Sequence, residues 1–225
     1  MKDLLANLLL QKDKNMSRFE SSKFLKSPSA MNQQVLKTAC DILAWQYKII
    51  NDEFIILNVG SGQNMGGEFV LRVKGDQVTY NSYYIKNGQE LVKELQNAFY
   101  PLNVSYSKQS IIQSFEKNGF TFKRDWDFSK TDDVAEHFYM VGETKMENEN
   151  SKRFEIEFSI LTDGTIVTDS NYLPDDINDL AHLAMDDIEI LMGNKRVMTK
   201  KEIPFEYRNR VVSRTEVINK LKNKL

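Results

Sequence analysis

The chain has 225 residues, 41% of them hydrophobic and 28% charged, with a net charge of −2. That is enough for one large domain or two small ones, and it lacks the bulk charge that marks a nucleic-acid or anionic-membrane binder. No apolar run approaches the roughly 20 residues that span a bilayer. Cys40 is the sole cysteine, which excludes an intrachain disulfide and fits a reducing, cytoplasmic setting. The charge is unevenly spread: residues 195–225 hold ten Lys/Arg and three Glu, residues 1–30 are net +3, and residues 31–194 carry −12.

Residues 1–15 read as an amphipathic extension with Leu4, Leu5, Leu8 and Leu9 on one side, interrupted by Asp3 and Asn7 and without a cleavage site of the signal-peptide type. A first strand is expected over 18–25. Ser27-Pro28-Ser29 breaks it and offers Ser29 as a helix N-cap. Over 32–45, Val35, Leu36, Ala39, Ile42 and Leu43 recur at helical spacing, with Cys40 at the edge of the face as a buried thiol. Strands follow over 46–50 and 53–59, turned by Asn51-Asp52. The glycine-rich stretch 60–67 lacks the Gly-Lys-Ser/Thr ending of a phosphate loop, and a strand (69–73) rather than a helix follows it, so a hairpin loop is the better reading. After a further strand over 77–84, Asn87 and Glu90 have capping-box spacing before a helix with Leu91, Val92, Leu95, Ala98 and Phe99 inward. Pro101 should end that helix. A second helix is expected over 106–118, with Ile111, Ile112 and Phe115 inward and Gly119 at its end. Phe120, Phe122, Trp126 and Phe128 alternate as a strand, and 136–143 adds another.

The polar stretch 146–151 reads as a linker between a larger α+β domain, 16–145, and a ββα unit, 152–193. In that unit Phe154, Ile156, Phe158 and Ile160 alternate with polar residues. Asp163-Gly164 favours a two-residue hairpin turn. Residues 165–168 return as a strand, with Val167 on the inner face. Pro174, Asp175 and Asp176 open a helix whose core face is Ile177, Leu180, Ala181, Ala184, Ile188 and Leu191, and Gly193 closes it. The basic tail is 194–225. The fold class expected is α+β: a larger mixed α/β-sheet domain, a small ββα unit and a basic tail.

The segment Met16-Ser17-Arg18-Phe19, the stretch "GEFVLRVKGD" at 67–76, the helix around Tyr106 and "NGFTF" at 118–122 resemble the cyanobacterial and plastid hypothetical-chloroplast-reading-frame family number thirty-five, a domain of unknown function. Arg18 stands where that family usually has His, and residues 1–15 are extra. Residues 153–193, with "FEIEFSILTDGTI" and a helix ending "LMG", resemble a second short ββα family of unknown function, without the Gly-Lys-x-Cys segment usual before its helix. Neither resemblance brings catalytic residues. Both imply an accessory or adaptor role, with an AAA-type ATPase as the implied partner.

Little in the chain advertises catalysis. Asp179, His182 and Asp186 share one helix face at metal-ligand spacing, but they lie opposite the expected core, and a solvated acidic face explains them. His137 has no partner that the sequence names. No nucleophile–base pattern, metal set or cofactor motif stands out, so no catalytic, cofactor or metal residue is expected. The candidate contact residues are in the tail: Lys195, Arg196, Lys200, Lys201, Phe205, Tyr207, Arg208, Arg210 and Arg214. Cations interleaved with aromatics can bind single-stranded nucleic acid, but they can equally lie on an acidic protein surface. The leading expectation is a non-enzymatic, cytoplasmic protein acting through protein contacts. The alternative is a nucleic-acid-binding accessory factor using the tail, with an enzyme third and self-association left open.

Overall fold

The structure is a computed structural model that describes residues 19–60, 69–144, 152–170 and 173–192. These form three α-helices and two antiparallel sheets, a mixed α+β architecture. In chain order they are β1 (Phe19–Lys23), a 3-10 turn (Pro28–Ala30), α1 (Gln33–Ile42), β2 (Gln46–Ile50), β3 (Glu53–Asn58), β4 (Leu71–Lys74), β5 (Gln77–Asn81), α2 (Gly88–Lys117), β6 (Thr121–Arg124), β7 (Val134–Thr144), β8 (Lys152–Leu161), β9 (Ile166–Ser170) and α3 (Asp175–Leu191). The first sheet runs β1-β5-β4-β3-β2 and the second β6-β7-β8-β9. In the first sheet β2 to β5 form a meander between α1 and α2, with β1 from before α1 added beside β5; the second sheet is a meander between α2 and α3, so α2 serves both.

Local chemistry explains the turns and caps. Ser27, rather than Ser29, caps the 3-10 turn, while Asn32 Oδ1 accepts from the N–H groups of Gln34 and Val35 at 3.0 and 3.1 Å and starts α1. The helix stops at Ile42, three residues before the expected end, because Ala44 turns to φ 55° and Trp45 donates back to the Cys40 carbonyl. Ile42 lies in solvent, and the turn buries Trp45. Asn51 and Asp52, both at positive φ, make the tight β2–β3 turn that the sequence predicts.

The largest departure is α2. Sequence spacing predicts two helices broken at Pro101, yet one helix of 30 residues runs through it. Proline removes one internal hydrogen bond and crowds the preceding turn. Packing on both sides outweighs that cost: Leu91, Val92, Leu95 and Phe99 are buried before the proline, Val104, Ile111 and Phe115 after it, and Pro101 itself faces solvent. Asn87 occupies the N-cap position, but its side chain makes no cap hydrogen bond, so the capping box does not form. Close approach is why Gly88 follows it, since a Cβ there would run into the buried Tyr80 ring.

The core divides along α2. One cluster holds Phe24, Leu36, Phe54, Ile56, Leu71, Val78 and Phe99, and the other holds Phe115, Phe138, Met140, Ile156, Phe158, Ile177 and Ile188. The expected linker 146–151 lies outside the described residues, but the strands flanking it pair along their length, from Val134↔Leu161 to Thr144↔Lys152. The 152–193 unit therefore shares its sheet and its core with 104–144. Its hairpin reverses through three residues, 162–164, rather than two, because Leu161 and Thr165 still pair and Gly164 at φ 90° closes the loop. That loop length places Ile166 toward the core and Val167, opposite Ser159, on the outer face. The strand expected over 120–128 ends at Arg124, and Trp126 beyond it is exposed.

A buried polar seam fastens the two halves. Asn103, Ser107, Ser110 and Ser114 lie on one side of α2 and are all buried. Asn103 Nδ2 donates to the carbonyls of Ala30 and Asp163, each at 2.8 Å, and Ser107 Oγ donates to the Gly164 carbonyl at 3.2 Å. The Asp163 carboxylate, also buried, accepts from the Lys26 N–H at 2.6 Å and from the Thr165 N–H at 3.0 Å.

Candidate functional site

The tail residues Lys195, Arg196, Lys200, Lys201, Phe205, Tyr207, Arg208, Arg210 and Arg214 lie outside the described residues, as do the N-terminal extension and 61–68 of the glycine-rich loop. Asp179, His182 and Asp186 are described, and all three are exposed on α3. Among the described residues, no group of three His, Cys, Asp or Glu side chains is placed to hold a metal ion. No described helix is long and apolar enough to cross a membrane.

Cys40 is fully buried on α1, and burial, with the nearby Asp41 charge, pushes its thiol up to about 12. At neutral pH it is a protonated packing group rather than a nucleophile.

His137 does have partners, and they were not visible in the sequence. Its Nδ1 lies 2.6 Å from Asp125 Oδ2 and its Nε2 lies 2.6 Å from Glu157 Oε1, with the imidazole almost fully enclosed. Asp125 reaches it because β6 ends at Arg124 and the chain then crosses over the sheet. Glu157 reaches it diagonally, since its direct partner across the ladder is Tyr139. Phe128 and Tyr139 flank the ring at 5.7 and 5.1 Å. Two such contacts need two shared hydrogens, and they leave no ring nitrogen free to take a proton from a substrate. The arrangement is a clamp across β6, β7 and β8. Replacing His137 by Ala would leave two carboxylates facing each other across the gap. We expect that variant to lose about 2–4 kcal/mol of stability by urea denaturation. A loss under about 0.5 kcal/mol, the ordinary surface value, would show that the clamp is not structural.

A cleft of about 660 Å³ lies between α2 and the start of β7, lined in part by Tyr100, Val104, Lys108, Ile112 and Ala135. Lys108, one of two lysines that line it with Lys130, pairs within the protein to Glu136 at 2.8 Å.

The remaining feature is the outer side of α3. Ile177, Ala181, Ala184, Ile188 and Met192 face the core. Leu180 and Leu191, expected in the core, are instead 38% and 41% exposed, and beside them Leu183 and Ile190 are 54% and 77% exposed. At 100° per residue Leu180 and Leu191 fall just off the line that meets the sheet, and Leu183 and Ile190 fall further round. All four lie on the side nearer α2, as two pairs, Leu180 with Leu183 and Ile190 with Leu191, separated by Asp187, which pairs with Lys117 of α2 at 2.8 Å. α3 itself is acidic, containing Asp175, Asp176, Asp179, Asp186, Asp187 and Glu189 and no Lys or Arg, and Lys117 of α2 neutralises Asp187 beside these apolar residues. Sequence reasoning missed these exposed residues because it assigned one apolar face to a helix that carries two. The clue was that Leu180, Leu183, Ile190 and Leu191 cannot all share the arc taken by Ile177, Ala181, Ala184 and Ile188.

No family model, no curated protein and no solved structure matches this chain.

Proposed function

We propose that this protein is a non-enzymatic accessory factor that works by binding another protein through the outer side of α3. The observation that supports this reading is the exposure of Leu180, Leu183, Ile190 and Leu191 on a helix that already buries a separate apolar face. Large apolar side chains exposed near one another on a helix are what protein interfaces cover. The acidic residues of α3 select a partner segment that is amphipathic and basic, because complementary charge at the rim favours encounter and excludes acidic competitors. An AAA-type ATPase as that partner rests on the family resemblance alone, and a cytoplasmic setting rests on the cysteine usage. The clamped His137, the buried Cys40 and the internally paired Lys108 support the non-enzymatic side of the reading. Nucleic-acid binding by the tail is the second reading, and it rests on the tail's composition.

The test compares the full chain with a Leu183→Asp/Ile190→Asp variant as bait, followed by reconstitution with the purified partner. Both positions are exposed, so the variant should keep its melting temperature. We expect at least one partner to bind the unaltered chain directly and to bind the variant at least roughly tenfold more weakly, as for loss of an interface hot spot. Equal binding by both chains would remove α3 from the reading. Salt-sensitive binding of single-stranded oligonucleotides, with no protein partner dependent on α3, would put the nucleic-acid reading first.

A further inference from the structure

We infer that two copies of the chain associate edge to edge through β2, which joins their first sheets into one continuous antiparallel sheet. This is independent of the α3 reading and uses the other sheet.

The sheets end in β1 and β2 in the first and β6 and β9 in the second. Charge on an edge strand discourages pairing with another chain. β1 has Glu20 and Lys23, β6 has Lys123 and Arg124, and β9 ends on Thr168, Asp169 and Ser170, all polar and exposed. β2 reads Gln-Tyr-Lys-Ile-Ile. Its one charge is Lys48, it has no proline, and Ile49 and Ile50 are 37% and 44% exposed.

The β2–β3 register decides which backbone groups of β2 face away from the sheet. Asn51 and Asp52, at φ 49° and 63°, make a two-residue turn, so Ile50 and Glu53 form its hydrogen-bonded pair. Bonded and non-bonded pairs alternate along an antiparallel ladder. Lys48, opposite Ile55, therefore also bonds to β3, while the N–H and C=O groups of Tyr47 and Ile49 point off the edge. The occupant that such groups accept is another extended strand. Side chains divide between the faces of the sheet: Ile49, opposite the buried Phe54, is on the core face, and Lys48 and Ile50 are on the outer face.

β2 supplies its own complement. With a two-fold axis at Ile49, each Ile49 N–H donates to the Ile49 carbonyl of the other copy, and the two side chains meet at the rims of the two cores. Lys48 then lies opposite Ile50 of the second copy, and its ammonium is one diagonal step from Asp52 of that copy. Both Lys48 and Asp52 are exposed. The other two-fold register, about Lys48, sets two lysines face to face, and like charges directly opposite are destabilising. Charge thus selects the Ile49 register. The register shift between Gln46 and Tyr47 interrupts the regular ladder, so the shared ladder is short and the association should depend on concentration.

The test begins with sedimentation equilibrium of the full chain. We expect the average mass to rise from one chain toward two as concentration increases. Ile49→Pro removes an N–H that points off the edge and none that bonds to β3, and an edge strand tolerates proline at such a position. It should weaken the dimer at least roughly tenfold, since each copy loses a hydrogen bond, while the urea midpoint stays near that of the unaltered chain. Added thiols read the register. Ile49→Cys should give a disulfide-linked dimer on mild oxidation, because opposed α-carbons of a bonded pair are about 5.5 Å apart. Lys48→Cys should not, because in this register its two copies are diagonal, beyond the roughly 7 Å that a disulfide bridges. Cys40 takes no part, being buried with its thiol held protonated. The cysteine variants keep the proposal falsifiable even where proline unfolds the strand. A mass of one chain at every concentration overturns the proposal. So does a dimer that a folded Ile49→Pro variant leaves intact, or cross-linking at Lys48 rather than Ile49. A dimer lost in the Leu183→Asp/Ile190→Asp variant overturns it as well, by putting the contact on α3.

Discussion

Replacing Gly164 by Ala should be among the most damaging single changes in the protein, on the order of 4 kcal/mol. Two causes add. Gly164 sits at φ 90°, where an L side chain is strained, and a Cβ at that position would collide with the Asn103 side chain. Backbone strain accounts for about 1–2 kcal/mol. The rest comes from displacing Asn103, whose amide holds the Ala30 and Asp163 carbonyls in a buried setting, where each lost partner costs about 1–3 kcal/mol. Gly75→Ala is the matched control. Gly75 also has positive φ, 55°, but nothing lies within 4 Å of its would-be Cβ, so only the strain should appear. Urea midpoints for the two variants measure the difference directly. Equal losses would mean that the seam around Asn103 contributes nothing.

Phe158→Ala should cost about 3–5 kcal/mol, the usual range for deleting a fully buried aromatic ring. Phe158 has no exposed surface, stacks on Phe138 with centroids 5.6 Å apart and meets the edge of Phe115 at 5.1 Å. The three rings come from β8, β7 and α2, so the cavity would open where those elements meet and could not collapse by moving one of them. Thermal unfolding followed by near-UV circular dichroism reads both the lost stability and the lost ring packing. Leu183→Ala, on the exposed side of α3, should change the midpoint by no more than about 0.5 kcal/mol. A Phe158→Ala variant as stable as Leu183→Ala would refute the placement of this core.

What the sequence discloses and what it hides follow from the range of the interactions. The alternation of Ile156, Phe158 and Ile160, the Asn51-Asp52 turn and the inward Val35, Leu36 and Ala39 of α1 are local patterns, and each appears in the structure as read. Pro101 misled because its local cost is certain, while the two cores that keep the helix continuous through it are assembled from distant residues. Val167 was misplaced for a smaller reason, since one extra residue in a hairpin turns everything beyond it onto the other face, and Ile42 because it falls just outside the arc shared by Val35, Leu36, Ala39 and Cys40. The clamp on His137 was hidden because Asp125 reaches it only after β6 stops. The exposed apolar residues of α3 were partly legible, since the helix simply has more large apolar residues than one face accommodates. The tail is legible in composition alone.

Sharing α2 between two cores also imposes an order on synthesis. The first cluster needs nothing beyond Phe99, so it can close when about half of the protein remains to be made. The second needs residues up to Met192. At about 5–20 residues per second, the later half of α2 waits some 5–20 seconds for its sheet. During that interval the nascent helix presents Asn103, Ser107, Ser110 and Ser114 along one side, groups that water satisfies, where a row of leucines would attract other unfinished chains. Asn103 and Ser107 then hydrogen-bond the Asp163 and Gly164 carbonyls when that turn emerges. The N-terminal half can thus close before the C-terminal half arrives, and the polar seam limits the apolar surface of the waiting helix to Val104, Ile111, Phe115 and their neighbours.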